Sequence, residues 1–112
     1  MQTWIVWTSR PVNERALRAF AEAFGGYWNE VVGDEAVIER GDARVFVSSA
    51  LADDVENVIP DDVVRATAQM GDVPSSMVSL RIGHSNGSTQ LAEEVATRAL
   101  KDWGGCLDRN EG

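Results

Sequence analysis

Five carboxylates crowd into one short stretch of this chain. Asp53, Asp54, Glu56, Asp61 and Asp62 lie within residues 51–64, and no Lys or Arg interrupts them. A calcium loop needs oxygen ligands at fixed alternate positions and a glycine at its turn. This stretch has neither, so Asp53, Asp54 and Glu56 do not form that motif. Zinc is no better served, because the chain holds one histidine, His84, and one cysteine, Cys106, where a zinc centre needs four spaced ligands. No metal and no cofactor is expected. His84 and Cys106 are also the pair that could support nucleophilic chemistry, a thiolate beside a base. No orienting third group and no oxyanion hole can be named for them, and the chain is read as a non-enzyme.

Two further motifs admit a chemical and a plain reading. Gly83-His84-Ser85-Asn86-Gly87-Ser88-Thr89 is rich in small donors and precedes a helical pattern, the place where backbone amides can hold an anion. It lacks the lysine and spacing of a Walker loop and the glycine spacing of a dinucleotide fingerprint. The plain reading is a turn with Ser88 or Thr89 as N-cap. Arg40-Gly41-Asp42 spells an adhesion tripeptide, but Gly-Asp between two β patterns is ordinary hairpin-turn chemistry.

Charge narrows the function classes. Over 112 residues, 18 Asp+Glu against 10 Lys+Arg give a net charge of −8, which opposes phosphate and anionic membrane surfaces because both need a concentrated positive field. The excess is local: residues 1–20 carry +2, residues 21–72 carry −9 and residues 73–112 carry −1. Val55, Val58, Ile59, Val63 and Val64 are interleaved with the five carboxylates, so these apolar residues are expected to anchor the segment while the acids face water. Two readings fit the cluster: a solvated loop that keeps the chain soluble, or a negative patch that steers and docks a basic partner.

The elements that must position these residues follow from periodicity. Residues 3–8 form an apolar, β-branched strand; from Asn13, as N-cap, Leu17, Phe20, Ala21 and Phe24 recur at helical spacing up to Gly25-Gly26. Residues 27–32 read as extended, and residues 36–40 and 43–49 as a hairpin across Gly41-Asp42. A short helix begins at Pro60 and closes at Gly71, residues 76–83 alternate as a strand, and Leu91 to Trp103 carry a helical apolar stripe ending at Gly104-Gly105. Cys106 and Leu107 suit a last short strand. Phe24-Gly25-Gly26-Tyr27 and Trp103-Gly104-Gly105-Cys106 echo each other, either as a shared docking device or as two ordinary glycine C-caps. Trp4, Trp7, Trp28 and Trp103 are expected in the core, an exposed one being a candidate anchor. The predicted fold class is α+β: one domain over residues 1–112, a mixed, mainly antiparallel sheet, and two or three helices packed mainly on one face. One cysteine and an opening apolar run of only Trp4 to Trp7 predict neither a disulfide scaffold nor a signal peptide or membrane span, and a reducing cytoplasm is the expected compartment.

A short acidic α/β chain with a carboxylate-rich middle, no catalytic set, and helices ending in Phe24-Gly25-Gly26 and Trp103-Gly104-Gly105 resembles the small bacterial immunity proteins that neutralise polymorphic toxins. Among these it is most similar to those of contact-dependent growth inhibition systems. The resemblance covers the architecture of the whole chain and transfers no residue by position. It implies a cytoplasmic protein that binds one cognate toxin domain, commonly a nuclease with a basic active-site cleft, and blocks it. The base-free cluster of Asp53, Asp54, Glu56, Asp61 and Asp62 is the expected partner-binding surface; no direct nucleic-acid or membrane binding is expected. The alternative is a small ligand-binding or regulatory α/β module that uses the 83–89 loop.

Overall fold

The computed structural model describes residues 2–31 and 33–109. The opening apolar run forms β1 (Gln2–Thr8). The side chain of Asn13 then accepts the Ala16 N–H and starts α1 (Glu14–Ala23), as its cap chemistry predicts. Two short segments follow, β2 (Tyr27–Trp28) and β3 (Glu35–Arg40), before the hairpin partner β4 (Ala43–Leu51). A single turn, α2 (Ala52–Val55), leads to α3 (Pro60–Met70), which opens on proline and closes on Gly71 in the left-handed region. The chain ends with β5 (Ser76–Ile82), α4 (Ser88–Trp103) and β6 (Cys106–Asp108).

All six strands join one sheet in the order β2-β3-β4-β5-β1-β6, and every pairing is antiparallel. The expected α+β class with a mainly antiparallel sheet therefore holds. Cross-strand partners point to the same face, and one face carries Trp4, Val6, Val45, Val47, Val78, Leu80, Ala36 and Ile38, all buried under α1 and α4. Each large apolar side chain buried there contributes roughly 1.5–3 kcal/mol relative to exposure. On α4 the residues turned inward include Ala92, Ala96 and Ala99, whose small size lets the helix lie close to the strands. The third helix, α3, covers one end of the opposite face, where Val63 and Ala66 pack around Trp7.

Both double-glycine turns have the same physical cause. Gly25 and Gly104 take positive φ (75° and 71°), while Gly26 and Gly105 lie against neighbouring backbone. A Cβ at Gly26 would sit 2.5 Å from the Val37 carbonyl oxygen, and one at Gly105 only 1.7 Å from that of Trp7. The helix ends they close meet each other, with the Phe20 ring 4.6 Å from Trp103 and 5.4 Å from Phe24.

Two expectations are corrected. The extended stretch predicted over residues 27–32 is a strand only at Tyr27–Trp28. The Asn29 side chain accepts the Val31 N–H and the Asn29 carbonyl accepts the Gly33 N–H, turning the chain away from the sheet; Val32 lies outside the described residues. The N-cap of α4 is Gly87 (φ 86°), not Ser88 or Thr89. Ser88 is already helical, and its buried hydroxyl accepts the Arg44 N–H at 3.0 Å, tying α4 to β4. Trp4, Trp7 and Trp103 are buried, whereas Trp28 is half-buried under the Arg18 guanidinium, 4.5 Å from its ring. Residues 110–112 of the polar tail lie outside the described residues.

Candidate functional site

The acidic segment leaves the sheet at the end of β4. The Ala52 N–H donates to the Ser75 carbonyl at 3.1 Å, and successive bonds from Glu56 to Ala52 and from Ile59 to Val55 wind the chain into α3. Val55, Ile59 and Val63 pack around Trp7 and hold the segment on the sheet. Val58 and Val64 do not: they are 77% and 67% exposed. All five apolar residues were expected to anchor, and this is corrected by helix geometry. Neighbouring helical residues diverge by about 100°, so with Val63 turned to Trp7, Val64 points outward together with Asp61, Arg65 and Ala68.

The five predicted site residues lie along one segment, from α2 into the first turn of α3, and are not equivalent. Asp53, Asp54, Glu56 and Asp61 are exposed, and among the described residues none of them makes an ion pair. Asp62 is half-buried and holds Arg65 one turn on. The other arginines that pair do so elsewhere, for example Arg40 with Glu94, Arg98 with Asp102 and Arg109 with Glu93. Four uncompensated carboxylates and two exposed valines therefore share residues 53–64. Such a surface suits a partner that brings both positive charge and apolar contacts.

The other candidates are dispersed. Cys106 pairs with Trp7, whose other neighbour is Met77, whereas His84 follows Ile82 at the far end of β5. Seven residues of extended chain from Met77 to His84 span roughly 23 Å, so His84 and Cys106 do not form a nucleophilic pair. Partial burial, then the charge of Asp108, pushes the Cys106 thiol up from its ordinary value, opposite to the activation a nucleophile needs. In the 83–89 loop the Ser88 hydroxyl is committed to β4, and the start of α4 has no side-chain cap. Arg40-Gly41-Asp42 is the β3–β4 turn, with Arg40 held by Glu94. Among the described residues no group of three His, Cys, Asp or Glu is placed to hold a metal ion, and no helix is long and apolar enough to cross a membrane.

The structure adds one surface that the sequence reading missed. The face of the sheet opposite α1 and α4 is covered by α3 only at its β1–β6 end. Beyond it the strand register builds transverse rows. Ala50, Met77, Trp7 and Cys106 lie in the row beneath α3; Glu35, Ser48, Ser79, Ile5 and Asp108 form the next; then come Tyr27, Val37, Phe46, Arg81 and Thr3; Glu39 and Arg44 come last. Tyr27, Val37 and Phe46 line up across three strands in this row, but only Tyr27 is well exposed (52%); Val37 is buried and Phe46 half-buried. The charges beside the row are paired internally: Arg81 lies 4.9 Å from the Phe46 ring and 3.1 Å from Glu35, and Arg44 lies 3.4 Å from Glu39. The Tyr27 hydroxyl donates to Glu39 at 2.9 Å, and that hydrogen bond raises its pKa above the usual tyrosine value. The available signal was apolar content at both parities of β3 and β4, with Val37 between Ala36 and Ile38 and Phe46 between Val45 and Val47.

Compared with known proteins, the chain matches no family model, no curated protein and no solved structure, so its function rests on the chemistry of its own surface.

Proposed function

We propose that this chain is an immunity protein: it binds a cognate bacterial toxin domain in the cytoplasm, a nuclease by preference, and blocks it by covering its basic active-site cleft. The observation that carries this reading is the outer surface of α2 and α3. Asp53, Asp54, Glu56 and Asp61 stand there without ion-pair partners beside the exposed Val58 and Val64. A nuclease cleft is positive because it binds phosphate, so carboxylates steer the two proteins together and exclude substrate, while desolvated valines slow their separation. The inhibitor itself performs no chemistry. Asp62, already paired with Arg65, contributes less than the other four.

The test takes a basic nuclease toxin domain, sought in the reading frames that flank this gene, and measures its association with the chain over a salt series. Wild-type association should slow steeply as salt rises. Asp53→Asn, Asp54→Asn, Glu56→Gln and Asp61→Asn combined should slow it about tenfold or more at low salt and flatten the salt dependence. Salt-independent binding that the fourfold variant leaves untouched refutes the assignment.

A further inference from the structure

Residues 52–75 leave the sheet and return to it at one point. Leu51 is paired with Ser76 across β4 and β5, and the Ala52 N–H donates to the Ser75 carbonyl at 3.1 Å, so both ends of the excursion that carries α2 and α3 are pinned together. Ser75 is fixed in turn: its N–H donates to the Thr8 carbonyl at 2.7 Å and its hydroxyl to the Ser9 carbonyl at 3.0 Å. We propose that the excursion is a flap, which unfolds locally as one unit while the rest of the fold stays intact. Its open form presents the Trp7 ring and the chain's one cysteine, Cys106, to solvent. The flap does not depend on the docking reading above.

Three observations point to it. First, its polar contacts are its own. Among the described residues, the hydrogen bonds and ion pairs of residues 53–74 run only to residues 52–74, as from Ile59 to Val55, Thr67 to Val63 and Arg65 to Asp62. Opening therefore leaves no polar group of the sheet without its partner, the loss that makes most local unfolding costly.

Second, its apolar contacts form a core of their own. Trp7, Val63 and Ala66 are the buried members of that cluster, and none of them belongs to the main core beneath α1 and α4. Opening exposes Val63, Ala66 and one side of Trp7, whereas global unfolding also exposes Trp4, Leu17, Leu80 and Leu91. The cost of an opening follows the apolar area it exposes, so the flap opens far more often than the whole molecule unfolds.

Third, α2 and α3 hold together poorly without the sheet. Both begin without a side-chain cap, and α3 has 11 residues, where a helix shorter than about 12–15 residues is marginal alone in water. Undocking from Trp7 and unwinding are therefore one event.

The experiment is native-state hydrogen exchange of the full chain, followed amide by amide by NMR. The α3 amides from Val63 to Met70 should exchange as one group, with protection at least tenfold below that of the paired amides of β4 and β5. Val63→Ala should lower the protection of both groups about tenfold, because both openings break its contacts. Val95→Ala removes methyl groups from the main core, where Val95 is fully buried. It should lower the protection of β4 and β5 and leave the α3 group unchanged, because it acts equally on the closed and open forms. If α3 is as protected as β4 and β5, or if Val95→Ala lowers it as much as theirs, the segment opens only with the whole molecule and the flap is refuted. Exchange of the α3 amides one by one, fastest at the ends, refutes the single unit. Should Val95→Ala fail to fold, the wild-type comparison of α3 with β4 and β5 decides alone.

Discussion

Val63 and Val64 are adjacent in sequence, and the proposal requires them to behave as opposites. Replacing valine by alanine removes two methyl groups, about 1.6 kcal/mol of transfer free energy when fully buried. Val63 is 5% exposed and packs around Trp7, so Val63→Ala forfeits nearly all of this and adds a small cavity. Alanine returns about 0.5 kcal/mol in helix propensity, leaving a loss of about 1.5 kcal/mol or more. Val64 is 67% exposed, so Val64→Ala forfeits about a third of the transfer term, about 0.5 kcal/mol, which the same propensity gain cancels. Urea and thermal unfolding followed by circular dichroism should place the two variants about 6 °C or more apart, with Val64→Ala close to wild type. Only Val64→Ala should also weaken partner binding without touching stability. If Val64→Ala destabilises as much as Val63→Ala, the outward face of α3 is covered and cannot be the docking surface.

Three further outcomes test other parts of the argument. Replacing Asp53 and Asp54 by Asn and Glu56 by Gln relieves repulsion among exposed like charges, each close pair costing a fraction of a kcal/mol at low salt. The triple variant should therefore melt higher at low ionic strength and converge on wild type at 0.5 M salt, whereas a loss of stability at low salt would mean these carboxylates serve the fold. Gly105→Ala places a Cβ 1.7 Å from the Trp7 carbonyl oxygen at a residue with φ 107° and should abolish or severely weaken folding. Gly25→Ala, with open space around it, should cost only about 1 kcal/mol for its positive φ, and equal losses measured by chemical denaturation would contradict the close approach. Tyr27 is the sole tyrosine, so absorbance at alkaline pH reports it alone. Its midpoint should lie above that of free tyrosine and fall toward the usual value in Glu39→Ala, because the hydrogen bond to Glu39 is the first cause of the shift. Since the folded pKa is raised, its small contribution to stability is present below the unfolded value and is lost as pH rises through the folded one.

Most local structure was legible because it depends on neighbours in sequence. The Asn13 cap, the proline start and glycine stop of α3, the Gly41-Asp42 hairpin and the α4 apolar stripe are all set by side chains within a turn of where they act. Where reading failed, a longer-range partner had won. Ser88 was free in sequence to cap its own helix, but the Arg44 amide of β4 claims its hydroxyl. The residues after Trp28 could have stayed extended, but Asn29 bonds to the backbone of its own turn.

The sequence by itself determined the acidity of residues 51–64, the α+β class and the glycine-closed ends of α1, α3 and α4, since composition and periodicity are properties of the chain alone. Tertiary structure decided which of the interleaved valines face water and that β1 enters between β5 and β6. It also decided that His84 and Cys106 stand at opposite ends of the sheet. The reason is that strand order and helix rotation are chosen by packing around Trp7 and beneath α1 and α4, contacts between residues far apart in the chain. The alignment of Tyr27, Val37 and Phe46 exists only because three strands are hydrogen-bonded in one register.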